Sequence, residues 1–428
     1  NLLAAWVDTS ILMGNPQKID PATVTWRRCI DVNDRTLRQV ISGLGGSKNG
    51  VPRETGFDIT SASEVMAILG LSMDAKDLRK RLGDIVVATD TDGQPVTAEA
   101  LGAAGAMAVV LKDAIHPTFM QTLEGTGCFV HTGPFANIAH GNSSIVADKI
   151  ALKLCDYVVT ESGFGADMGA EKFFNIKCRV SGLKPDAAVV VATIRALKVH
   201  SGRFKISPGK PLPEEMLKEN IPAVEEGIVN LKRHIENVGK FGVPVIVALN
   251  RFPTDSDGEV EVVLNMARSF GAFDAVISDV HARGGEGGAE LAEAVVRACE
   301  EVPSKFSVLY PDDMPVKEKI STICKEIYRA DGVKLLPAAR KSIRKFEKMG
   351  LGHLPICMAK TQYSFSDDPK KIGAPDNFQM TVRDVRLSAG AGFLYALTGD
   401  IMTMPGLGSK PALLNIDLDE QGLPAGLF

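Results

Sequence analysis

The sequence predicts an α/β protein in which helices cover both faces of a parallel sheet. Short β-branched runs bounded by turn residues, at 84–88, 128–131, 157–160 and 187–191, alternate with longer helical patterns such as 61–70 and 144–153. A long helical pattern over 222–238 then leads into a further apolar run, 243–249. The chain of 428 residues, 45% hydrophobic and 23% charged, has ample material for a core and a length that suggests two to four domains.

Composition narrows the function classes. The formal net charge is −4 with no long basic block, which argues against a nucleic-acid or membrane-surface partner. The longest mostly apolar stretch, around 101–111, is too short and too glycine-rich to span a bilayer. Seven scattered cysteines without a C-x-x-C pair point to a reducing compartment and no structural zinc. No signal-like cluster opens the chain, and there is no internal repeat. The Pro/Gly/Lys-rich stretch 201–213 reads as a surface loop.

The apolar run at 157–160 stops at Glu161, and Gly163, Gly165 and Gly169 then bracket Phe164 and Asp167 before a helix-like run. Ligands collect where parallel strands end, and glycine lets them approach the backbone. Buried turns need glycine too, so the spacing alone is weak and residue identity must carry the inference. Gly163-Phe-Gly-Ala-Asp-Met-Gly-Ala-Glu-Lys-Phe173, Gly133-Pro-Phe-Ala-Asn-Ile-Ala-His-Gly141 and Val191-Ala-Thr-Ile-Arg-Ala-Leu-Lys198, the last followed by His200-Ser-Gly202, resemble signature segments of the formate–tetrahydrofolate ligase family. So do Lys360-Thr-Gln-Tyr-Ser-Phe365, Met402-Thr-Met-Pro-Gly-Leu407 and the closing Gly426-Leu-Phe428. The resemblance runs in order over essentially the whole chain.

That resemblance implies a large parallel-sheet, P-loop-type nucleotide-binding domain over 1–238 with its N-terminal part absent. Two smaller α/β domains would follow, a folate-binding one at 239–345 and a C-terminal one at 346–428. Gly350, Gly352 and Pro355 punctuate the second junction. The implied reaction joins formate to tetrahydrofolate through formyl phosphate, with ATP and Mg2+ as co-substrate and a monovalent cation left open. The implied assembly is a homo-oligomer, by family habit a tetramer, in the cytoplasm, with an organelle matrix as the other option.

Asn1-Leu-Leu-Ala-Ala5 resembles a segment well inside the family's sequence, and no G-x-x-x-x-G-K-[ST] occurs. Gly209-Lys210 and Gly239-Lys240 are followed by Pro211 and Phe241, and Gly43–Lys48 reads as a mobile surface loop. The expectation is therefore that a phosphate-binding segment lies outside this sequence, in a longer polypeptide or on a separate chain, and that this chain alone is inactive. A folate-binding or assembly subunit without catalysis is the rival reading.

The resemblance also implies site residues. Asn250, Phe252 and Pro253 follow the run ending at Leu249, with Phe252 expected against the pterin; a core plug at a strand end is the alternative. Ile277 and His281 join this substrate-binding set. His281 stands just before Gly284–Gly288, where the family usually has tryptophan, so it is either an altered slab or an exposed histidine of little consequence. Phe164, Gly165 and Ala166 are implied contacts where nucleotide and folate meet. Arg195 and Lys198, spaced i, i+3, are implied cofactor-binding cations, with salt bridges as the equal alternative. Asp167 and Glu171 are candidates for a cation or amine contact, or for helix-dipole partners. His140 reads as structural or as an aid to formyl transfer. Lys360 and Thr361 match the family without a derivable role. No catalytic residue and no metal ligand is assigned.

Overall fold

In the computed structural model, which describes residues 1–206, 210–399 and 401–427, side-chain caps set the starts of two helices in the first third. Helix α1 (Leu2–Leu12) buries Leu3, Ala4 and Val7. Helix α2 (Glu64–Leu71) begins at Ser63, whose hydroxyl accepts from the Val65 N–H, and α3 (Ala75–Asp84) begins at Asp74, which accepts from Asp77 N–H at 2.8 Å. The runs at 84–88 and 128–131 do form strands, but not parallel ones. β1 (Val86–Thr89) pairs antiparallel with β2 (Pro95–Thr97) across a bulge, and β3 (Thr118–Gln121) forms an exposed antiparallel hairpin with β4 (Gly127–Val130). Helix α4 (Ile145–Leu154) follows the cap at Ser144, as its pattern predicts.

Residues 157–160 correct the sequence reading: they form no strand, and Val159 is 86% exposed. An apolar run becomes a strand only where a neighbour pairs its backbone and a cover takes its side chains. Here the Tyr157 hydroxyl donates to Glu300 at 2.9 Å, and the chain bends away through the bridge between Asn142 and Ser162.

The parallel sheet is assembled later. Strands β5 (Ala188–Ala192), β6 (Val245–Asn250) and β7 (Asp274–Ser278) lie in the order β7–β6–β5, all parallel. Among the described residues this sheet has three strands, not the large sheet expected. Central β6 is buried from Val245 to Leu249, which explains its continuous apolar run. The helix predicted over 222–238 is two, Ile221–Gly227 and Val229–Gly239. A methyl on Gly227 would sit 1.8 Å from the Leu197 carbonyl oxygen, so glycine permits that close crossing.

Beyond the sheet, β8 (Gly332–Leu335), β9 (Ile356–Ala359), β10 (Gln379–Val382), β11 (Asp384–Ser388) and β12 (Phe393–Leu397) form two small sheets. β8 runs parallel to β10, while β12 lies between parallel β9 and antiparallel β11. One apolar core joins these strands to the three-stranded sheet, running through Phe174, Val238, Phe241, Val247, Ile320, Phe346, Met358 and Ala396. The stretch 201–213 has no helix or strand where it is described; 207–209 and the closing Phe428 lie outside the described residues. No helix among the described residues is long and apolar enough to cross a membrane.

Candidate active site

The carboxyl ends of β5, β6 and β7 carry most of the expected substrate residues, because parallel register brings those ends level. Leu249 pairs with both Ala192 and Ile277, and Asn250 with Ser278. Just past β5, Thr193 caps the helix Ile194–His200 by accepting from the Ala196 N–H at 3.1 Å, which aims Arg195 across the strand ends. Past β6, Phe252 and Asp255 are locked reciprocally: Phe252 N–H donates to the Asp255 carboxylate at 2.8 Å, and Asp255 N–H to the Phe252 carbonyl at 2.9 Å. Arg195 stacks its guanidinium 3.9 Å from the Phe252 ring centroid and donates to the Thr254 hydroxyl at 3.1 Å. Its buried Nε has no partner.

Pro253 is exposed beside this pair, and Ile277 is half-buried against the core. His281 is exposed on the helical turn Val280–Arg283. The glycine loop that follows folds back as Asp279 N–H donates to the Gly287 carbonyl at 2.9 Å, and Gly285 N–H reaches Glu124 at 2.6 Å. Lys198 lies elsewhere. It is buried against Glu259 at 2.6 Å and also donates to the carbonyls of Met216 at 3.1 Å and Lys218 at 2.7 Å. All three ammonium donors are thus engaged inside the protein.

The signature segments interlock. Gly163 N–H donates to the Gly141 carbonyl at 3.0 Å, and Asn142 donates to the Ser162 hydroxyl at 2.9 Å. Lys172, fully buried, donates to the Ala136 carbonyl. Gly141 has φ +66°, and a methyl there would lie 2.2 Å from Ala136 Cβ, so only glycine fits that crossing. From this base Phe164 projects with φ +63° and 56% of its surface exposed, while Ala166 packs on the core. No hydrogen bond or ring contact among the described residues joins Phe164 to Phe252, so the two aromatics belong to separate supports.

Burial sets the electrostatics behind these loops. Glu171 has its carboxyl pushed up to about 7 by burial, although Asn175 donates to it at 2.7 Å; its second oxygen has no partner. His140 is pushed down to about 3 by burial, then by Lys177 and Lys172, and neither ring nitrogen has a partner. Asp167 is not a free dipole partner: Lys360 meets it at 2.9 Å. Among the described residues no group of three or more His, Cys, Asp or Glu side chains is arranged to hold a metal ion.

Sequence reasoning missed His234, which is half-buried and packed at 4.8 Å from the Phe365 ring. Its only signal was a lone histidine within the apolar stripe of Leu231, Ile235 and Val238. Chemically, the strand ends present an aromatic ring backed by a cation, and a second exposed aromatic stands on a rigid, dry base. Such surfaces suit a planar heteroaromatic ring with an anionic group.

A family profile described as formate–tetrahydrofolate ligase matches residues 1–428. A protein of that name from Desulforamulus reducens is 58% identical over 428 residues, covering 100% of this chain and 75% of the relative. Those named alike from Saccharopolyspora erythraea and Roseiflexus sp. are 55% and 56% identical over 427 residues, covering 100% of this chain and 75% and 76% of the relatives.

Proposed function

The chain belongs to the formate–tetrahydrofolate ligase family, and from that premise we propose that it ligates formate to tetrahydrofolate at the expense of ATP, giving 10-formyltetrahydrofolate, ADP and phosphate. The observation that carries this reading is the family match along the full chain at 55–58% identity. It disfavours the rival of a non-catalytic folate-binding subunit.

Formate attacks the γ-phosphorus of ATP, ADP leaves, and formyl phosphate forms. The folate N10 amine then attacks the formyl carbon, phosphate departs, and the amine loses its proton. The second step needs a slot that holds the pterin flat and keeps water from the mixed anhydride. Phe252, backed by Arg195, suits one wall, with Asn250, Pro253, Ile277 and His281 around the same strand ends. Phe164, Gly165 and Ala166 would contribute from the interlocked signature turn. The first step is mostly electrostatic. Arg195 is suited to contact an anion, whereas Lys198 is engaged in its buried pair with Glu259 and supports the fold instead of a ligand. Mg2+ would travel on the ATP phosphates, since this ion keeps waters and favours one or two carboxylates plus phosphate oxygens. The division into regions 1–238, 239–345 and 346–428 and assembly as a homotetramer complete the proposal.

The test is product formation by the native protein with ATP, formate and tetrahydrofolate, read after acid conversion to the methenyl form. Product should require all three substrates, and a complete mixture that forms none overturns the reading.

A further inference from the structure

The exposed ring of Phe164 is held by side chains from distant parts of the chain. Phe164 occupies the left-handed region at φ +63°, which a residue with a Cβ disfavours, so neighbouring structure must hold it there. The next residue shows what does. A methyl on Gly165 would lie 2.7 Å from Asp167 Oδ1 and 3.1 Å from His234 Cε1, so the turn is seated directly on those two side chains.

Asp167 is fixed in turn by Lys360. That ammonium is fully buried and donates to Asp167 Oδ2 at 2.9 Å, to the Thr361 carbonyl at 2.7 Å and to the Ser364 carbonyl at 2.5 Å. All three of its protons are used. The segment it folds ends at Phe365, whose ring lies 4.8 Å from that of His234. A closed circuit results, from Gly165 through Asp167, Lys360 and Phe365 to His234 and back to Gly165. Asp167, Lys360 and Phe365 are buried and Gly165 and His234 half-buried, so that only Phe164 is offered to a ligand.

We propose that Asp167 and Lys360 are positioning residues for tetrahydrofolate: their buried ion pair sets the turn that presents the Phe164 ring to the pterin. The proposal rests on the reading of this cleft as a folate site. It gives Lys360 a role that its place in the sequence does not reveal. The ion pair touches no substrate and acts through one aromatic ring.

A thermodynamic cycle tests this, with tetrahydrofolate titrated calorimetrically into the native protein and into Phe164→Ala, Asp167→Asn and the double variant. Asparagine keeps the shape and an acceptor for Lys360. Each single change should weaken binding about two- to twelvefold, the range of one aromatic stack. The double variant should bind no more weakly than Phe164→Ala alone, because coupled residues are non-additive. Multiplying losses would overturn the proposal. If Asp167→Asn does not fold, Gly165→Ala takes its place, since its methyl displaces the turn without removing a charge. A native protein that binds no tetrahydrofolate overturns the folate reading itself, whereas binding with independent losses overturns only the positioning role.

Discussion

Arg195 covers one face of the Phe252 ring, its guanidinium carbon 3.9 Å from the centroid, while the Phe252 backbone is pinned by Asp255. The contact contributes about 0.5–2 kcal/mol depending on how dry it is. It also decides geometry, because a stacking substrate is left with the opposite face.

Phe252→Ala removes that slab without disturbing Asp255, whose bonds to residue 252 are to the backbone. Stacking contributes about 0.5–1.5 kcal/mol beyond buried area, so the tetrahydrofolate KM should rise about two- to twelvefold. The ATP KM should stay within about twofold, since no nucleotide stack is lost. Steady-state kinetics decide between the two roles, and an unaltered folate KM would return Phe252 to core packing.

Lys198→Met should act on stability instead of on nucleotide affinity. Lys198 and Glu259 meet at 2.6 Å with both side chains buried, and Glu259 also accepts from Asn220 N–H at 2.6 Å. Removing one partner of a buried pair costs about 3–5 kcal/mol by leaving the other charge unpaired. The denaturant midpoint should fall accordingly. A raised ATP KM at unchanged midpoint would instead place Lys198 on the phosphate.

What the sequence made legible was local. The run at 243–249 is continuously apolar because β6 is central, and Ser144 announces α4 because a cap is a short-range bond. Residues 157–160 look the same as β6 in composition, yet pairing and cover depend on what packs beside them, and Val159 stays exposed. Lys360 was visible as a matched residue but not as a partner of Asp167, 193 positions away. That Phe252 lies just past a strand end was readable, because the apolar run ending at Leu249 precedes it directly, whereas its place against a pterin came from the family resemblance alone. Its Arg195 backing was not readable, since β5 and β6 are adjacent in space and far apart in sequence.

Glu171 gives a pH signature with a defined sign. Burial raises its folded-state value from 4.5 to about 7, so the folded protein binds more protons than the unfolded chain between those values. Its contribution to stability is therefore complete below about pH 4.5 and is lost as pH rises through 7, a swing on the order of 3 kcal/mol. His140, pushed down to about 3, works oppositely: its contribution is present above 6.5 and lost as pH falls toward 3. Because the windows overlap, the wild-type profile mixes both slopes. Subtracting it from that of Glu171→Gln, which keeps an oxygen for Asn175, isolates the carboxyl. The difference should favour the glutamine variant increasingly from pH 4.5 to 7, and a flat difference would mean that Glu171 is ionised throughout.

The family resemblance sets His281 where a tryptophan is expected, and the surroundings of His281 make that expectation testable. The side chain is exposed on the turn Val280–Arg283, beside a glycine loop tied down through Gly285 to Glu124 and through Gly287 to Asp279. The backbone is thus held while the side chain is free to take a larger ring. His281→Trp should strengthen tetrahydrofolate binding about two- to twelvefold, because an indole offers more stacking area than an imidazole. The chain has only two tryptophans, Trp6 and Trp26, both far from residue 281 in sequence, so a third doubles as a reporter. Its fluorescence should be quenched saturably by tetrahydrofolate with the same dissociation constant that calorimetry gives. Unchanged affinity with no quenching would show that position 281 faces solvent and not the pterin.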